Sequence, residues 1–134
     1  KGALLDGRPW AYFDAGEVYL PRRPGRFRLQ AVTVGEPAPH LAATSALVEA
    51  CSWDAAAAIL EIHIAHPPWF RGPLPESAAY HLLVRTEGRT LARVTGAEVV
   101  PDEELALPEA RRAQARVSGA LLRAGPGVVR VFFQ

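Results

Sequence analysis

Glu61, His63 and His81 are the residues of this chain whose types suit acid-base or metal chemistry, on the condition that the strands carrying them lie side by side. From Ile59 to Ala65 the apolar Leu60, Ile62 and Ile64 alternate with Glu61 and His63, which puts carboxylate and imidazole on one face of a strand. From Ala79 to Thr86, His81 and Arg85 share one face while Tyr80, Leu82 and Val84 share the other. Pairing of the two runs would bring Glu61, His63, His81 and Arg85 within side-chain reach. A carboxylate that orients an imidazole sets it up for proton transfer, and two imidazoles with one carboxylate make a three-ligand zinc set. The same residues also read as a solvated sheet face closed by a Glu61–Arg85 ion pair, which requires no chemistry.

The connection between these runs is His66-Pro67-Pro68-Trp69-Phe70-Arg71-Gly72-Pro73-Leu74-Pro75. Proline fixes φ and removes a backbone donor, so the segment reads as a stiff loop. Trp69, Phe70 and Arg71 on such a loop form a contact surface for a partner, or else fold back to seal the core. A third candidate is the turn carrying Arg22, Arg23 and Arg26, whose guanidinium groups present paired donors to phosphate, sulfate or carboxylate. Without a basic balance over the whole chain, a solvated hairpin tip is the commoner explanation for those arginines.

Other chemistry finds no foothold. The single cysteine, Cys51, excludes an internal disulfide framework and a multi-cysteine zinc site, and its apolar neighbours Val48, Ala50 and Trp53 read as core. His63 and His66 point to opposite faces in a strand, His40 reads as a surface or capping residue, and Asp102-Glu103-Glu104 lacks the calcium-loop pattern. No glycine-rich phosphate loop or nucleophile elbow is present, and no cofactor is expected.

Composition sets the frame. With 134 residues, 49% of them hydrophobic, the chain suits one globular domain spanning 1–134. The net charge of +1, from 15 basic and 14 acidic side chains, gives no overall field to attract nucleic acid, which is not expected as a partner. No apolar run is long enough to span a membrane. The chain contains no methionine, even at position 1, which reads as excision or processing from a longer polypeptide and leaves the compartment open.

The elements that must position these residues follow from periodicity and turn chemistry. Asp6-Gly7 predicts a tight hairpin between Ala3–Leu5 and Trp10–Phe13. Glu17–Leu20 and Arg26–Val34 form a second strand unit around Pro24-Gly25. Leu41, Leu47, Val48 and Cys51 are spaced for one side of a helix over Leu41–Cys51, after which Ser52 and Asp54 cap a short turn. Glu87-Gly88-Arg89 predicts an antiparallel hairpin of Tyr80–Thr86 with Thr90–Val100. Pro108, Glu109 and the stop at Gly125-Pro126 predict a second helix, Pro108–Ala124, with Gln114–Leu122 as a strand in a minority reading. Val128–Phe133 closes as a strand.

The fold expected is therefore α+β, a single curved antiparallel sheet covered by two helices, with an all-β sandwich as the alternative. The function expected is a non-catalytic binding or assembly domain that holds a protein partner, or another copy of itself, through Trp69, Phe70 and Arg71 and an adjoining sheet edge. A small enzyme or metal-binding domain centred on Glu61, His63 and His81 is the competing class.

Overall fold

Strand after strand, and no helix, makes up the described residues of the computed structural model, which are 2–14, 17–21, 25–32, 35, 37–65, 80–100, 121–124 and 127–134. In order they are β1 (Gly2–Leu5), β2 (Arg8–Trp10), β3 (Phe13–Asp14), β4 (Glu17–Val18), β5 (Leu29–Val32), β6 (His40–Thr44), β7 (Leu47–Asp54), β8 (Ile59–Ala65), β9 (Tyr80–Arg85), β10 (Leu91–Thr95), β11 (Ala97–Val100), β12 (Leu121–Ala124) and β13 (Gly127–Phe133). The α+β expectation is thereby overturned, and the all-β alternative fits.

Both expected helices meet strands instead. The span Leu41–Cys51 is two strands, β6 and β7, joined at Ser45-Ala46 where the Thr44 hydroxyl accepts the Ala46 amide at 2.9 Å. Of Pro108–Ala124, residues 121–124 are β12, hydrogen-bonded between β11 and β9, and the remainder lies outside the described residues. Pairing on both sides outweighs the weak helical preference of four residues.

Two four-stranded antiparallel sheets dominate, in the orders β10-β13-β8-β7 and β11-β12-β9-β6. Each of four chain segments contributes to both. β10 passes into β11 at Gly96, β6 into β7 at Ser45-Ala46, β12 into β13 across 125–126, and β8 into β9 across 66–79. The two sheets are thus halves of one four-ribbon layer, turned at a crease where strands switch sheets. Gly96 marks that crease, since its φ is +81° and a Cβ there would stand 2.3 Å from the Val128 carbonyl oxygen. Only glycine fits both demands.

One core joins the halves. Leu41, Leu82 and Val84 come from one sheet, and Leu60, Ile62, Val129 and Val131 from the other. The alternation of β8 is realised as read, with Leu60, Ile62 and Ile64 buried and Glu61 and His63 half-buried. β6 and β9 show no such alternation: Leu82, Leu83 and Val84 are all buried, as are His40, Leu41, Ala42 and Ala43. Those segments are covered on both faces, which removes the period of two from the sequence.

The third sheet, β2-β1-β5, is built on the Asp6-Gly7 turn. Its φ values of 52° and 78° are those of a two-residue hairpin turn of the primed type, as the dipeptide predicts. Trp10 at the end of β2 is buried in the shared core. Ala11 then ties this sheet to the other two, its amide donating to Cys51 O at 2.9 Å and its carbonyl accepting from Leu41 N at 2.8 Å. β3 and β4 form a small hairpin, Phe13 opposite Val18, so Glu17–Leu20 does not belong with Arg26–Val34; β5 pairs with β1 instead.

The Glu87-Gly88 turn forms, with φ of 52° and 80° and Arg89 N donating to Thr86 O at 3.1 Å. It does not make the expected hairpin. β9 pairs with β6 and β12 whereas β10 pairs with β13, so the turn carries the chain from one sheet to the other.

The β7–β8 turn offers a test of local geometry. Asp54 Oδ1 accepts the amides of Ala56 and Ala57 at 3.0 and 3.1 Å, as a capping residue should, while Ala58 is held at φ 56°. A left-handed alanine costs roughly 1–2 kcal/mol, partly offset by the extra chain entropy that glycine loses on folding. Ala58→Gly is expected to raise stability by about 0.5–1 kcal/mol in chemical denaturation; a loss would show that the turn is not left-handed at this position.

Candidate functional site

Alternation along β8 puts Glu61 and His63 on the face away from the core, and the neighbouring strand β13 supplies their partner. His63 Nε2 donates to Glu61 Oε1 at 2.6 Å, and Arg130 Nε donates to Glu61 Oε2 at 2.9 Å. Arg130 stands directly opposite Glu61 in the β8–β13 ladder. The hydrogen bond from His63, then that from Arg130, holds the Glu61 carboxyl below the usual glutamate range. A carboxylate stabilised in this way contributes to folding above its unfolded pKa, and that contribution is lost as pH falls through its lowered folded value.

This pair can hold a proton between an acid and an imidazole, but His81 is not placed to complete it as expected. β8 and β9 share no ladder: β8 lies between β13 and β7, and β9 lies between β12 and β6. The convergence inferred from their pairing is therefore absent. His81 is tied to the crease, its amide donating to Ser45 Oγ at 3.0 Å and its carbonyl accepting Ser45 N at 3.1 Å, and its buried Nδ1 has no hydrogen-bond partner among the described residues. Among the described residues no group of three His, Cys, Asp or Glu side chains is arranged to hold a metal. Arg85, read as an ion-pair partner of Glu61, faces Asp14 Oδ1 at 3.4 Å instead.

His40 departs from its expected surface or capping role. It is the buried first residue of β6, stacked on Phe13 with ring centroids 4.1 Å apart, and its Nδ1 donates to Ala38 O at 2.9 Å. Cys51 is fully buried in the core, and desolvation pushes its thiol pKa far up, so it is a core residue and not a nucleophile.

Trp69, Phe70 and Arg71 lie outside the described residues, as do Arg22 and Arg23. Arg26 is exposed on the approach to β5. What is described is the base of the proline-aromatic segment. Ala65, before it, pairs with Leu47, and His81, just beyond it, bonds to Ser45. Both stems therefore meet the chain at Ser45–Leu47.

Beside those stems is a feature that the sequence reading missed. Tyr12, Tyr19, Leu20, Pro21, Ala46 and Leu47 line an apolar groove of about 550 Å³. Tyr12 and Tyr19 flank the β3–β4 hairpin, Tyr19 N donating to Tyr12 O at 3.1 Å, with their rings 4.6 Å apart. The buried Trp10 indole fixes both, donating to Tyr12 O at 3.1 Å and Tyr19 O at 2.7 Å. Leu20 is 47% exposed. The signal was available in the symmetric placement of Tyr12-Phe13 and Val18-Tyr19 about Ala15-Gly16, which reads as a hairpin once Trp10 ends the preceding one.

Among the described residues no helix is long and apolar enough to cross a membrane. No protein-family model, no curated protein and no solved structure matches this chain.

Proposed function

We propose that this chain is a non-catalytic binding or assembly domain that holds a protein partner through the proline-aromatic segment, with Trp69 as anchor and Phe70 and Arg71 beside it. The observation that carries the reading is the position of Ala65, the residue just before 66–79, opposite Leu47, which is also a wall of the Tyr12–Tyr19 groove. Aromatic side chains with few rotatable bonds next to an apolar groove lower the ordering cost of an interface and favour a few strong contacts. Prolines around Trp69 act in the same direction by restricting the unbound segment.

The test is to select peptides against the immobilised domain from a random library and to measure their affinities for the parent and for Trp69→Ala, alongside sedimentation for self-association. Trp69→Ala is expected to leave the melting temperature unchanged while weakening binding, or dimerisation, by at least about 2 kcal/mol. If Trp69→Ala instead destabilises the fold by several kcal/mol and leaves association unaltered, Trp69 is core cladding and the reading fails.

A further inference from the structure

We propose that β5 is an acceptor edge that takes up an extended acidic peptide from a partner protein as an added strand. It does not rest on the proline-aromatic reading and concerns different residues.

An unpaired strand edge displays a row of amide and carbonyl groups, and proteins usually blunt it with proline, a bulge, a charge or a covering chain. The other outer strands of the three larger sheets carry such devices. β2 contains Pro9, the ladders of β6, β7 and β10 are broken by register shifts, Ala11 bonds to both β6 and β7, and β11 carries Glu98. β5 has none among the described residues. Its register with β1 runs unbroken from Gly2↔Val32 to Leu5↔Leu29, and Leu-Gln-Ala-Val holds neither proline nor charge.

The outward groups can be assigned. Asp6 N donates to Arg28 O at 2.7 Å and Arg28 N donates to Asp6 Oδ1 at 2.8 Å, so the main chain of Arg28 faces β1. Alternation then turns Gln30 toward β1 and the amides and carbonyls of Leu29 and Ala31 away from it. The side chains of Leu29, 46% exposed, and Ala31 extend the face of buried Leu5 and Ala3. Arg28, exposed and bonded to Asp6, continues the alternation onto the opposite face, and exposed Arg26 lies two residues before it.

These features specify the added strand. Its main chain would bond to Leu29 and Ala31, its apolar side chains would lie beside those two residues, and its carboxylates would face Arg28 and Arg26. A second copy of β5 does not satisfy this, because Gly25–Val32 contains no acidic residue to set against the arginines.

The test uses two fluorescein-labelled eight-residue peptides, one alternating glutamate with valine and the other lysine with valine, titrated with the whole chain by fluorescence polarisation. The acidic peptide is expected to bind at least ~10-fold more tightly than the lysine peptide, with an affinity that falls as salt rises. Ala31→Pro removes an outward donor while sparing the β1 ladder, so it should weaken the acidic peptide at least ~10-fold. The double variant Arg26→Glu with Arg28→Glu should reverse the peptide preference. Amide exchange followed by NMR reads the same site without a variant, since the Leu29 and Ala31 amides should become protected when the acidic peptide is added. Equal binding of the two peptides, failure of both to bind, no protection of those amides, or their protection by raised protein concentration alone would each overturn the proposal.

Discussion

Gly96→Ala is expected to destabilise the domain by about 2–5 kcal/mol, the sum of roughly 1–2 for a left-handed non-glycine residue and roughly 1–3 for forced repacking. The clash is with the Val128 carbonyl, which belongs to the central strand β13 and cannot rotate away as a side chain would. Gly88→Ala supplies the control. Gly88 has nearly the same φ, +80°, but nothing stands within 4 Å of its added Cβ, so only the conformational cost of about 1–2 kcal/mol should appear. Urea denaturation of both variants decides the matter: equal losses would mean that β10 and β13 do not approach at the crease.

Ile62→Ala should cost about 2–5 kcal/mol, because a fully buried branched side chain is removed from a core that cannot collapse around the void. Ile62 stands between Cys51 of β7 and Val129 of β13, both buried. His63→Ala, one residue along, should cost less than about 1 kcal/mol, since its side chain is 39% exposed and loses chiefly the hydrogen bond to Glu61. The contrast measures register directly. A slip of one residue exchanges the two faces of the strand, so a near-neutral Ile62→Ala with a costly His63→Ala would refute the ladder described.

How much of this was legible in the sequence depended on whether the governing contacts are local. β8 was read correctly to its ends because one face is buried and the other wet, and the Asp6-Gly7 turn because its positive φ values demand that dipeptide type. β6 and β7 were misread as a helix for opposite reasons. β6 is buried on both faces and shows no alternation, and the β7 ladder shifts register between Val48 and Ala50, which displaces the apolar positions onto a spacing that mimics a helical face. Glu87-Gly88 was identified as a turn, yet nothing within it specifies which sheet receives β10. That choice is made by β13, far along the chain.

The same division holds for the candidate site. Glu61 and His63 lie two apart on one strand, so their common face was visible. Arg130, 69 residues away, was not. His81 was assigned to the group by assuming that consecutive strands pair, a tendency that the crease defeats. The Tyr12–Tyr19 groove escaped because β3 and β4 have two residues each, too few for any periodicity to register.

The place of β13 has a consequence for the order in which the fold can be completed. Although it follows every other strand in sequence, it lies between β10 and β8 and supplies Val129 and Val131 to the shared core. Until residues up to Phe133 have been synthesised, β10 has no neighbour in its sheet among the described residues, and the flank of β8 that β13 covers is open. On a growing chain the β8 and β10 edges that β13 fills would stay open while the residues between β10 and β13 are made, and their closure would depend on contacts between distant segments.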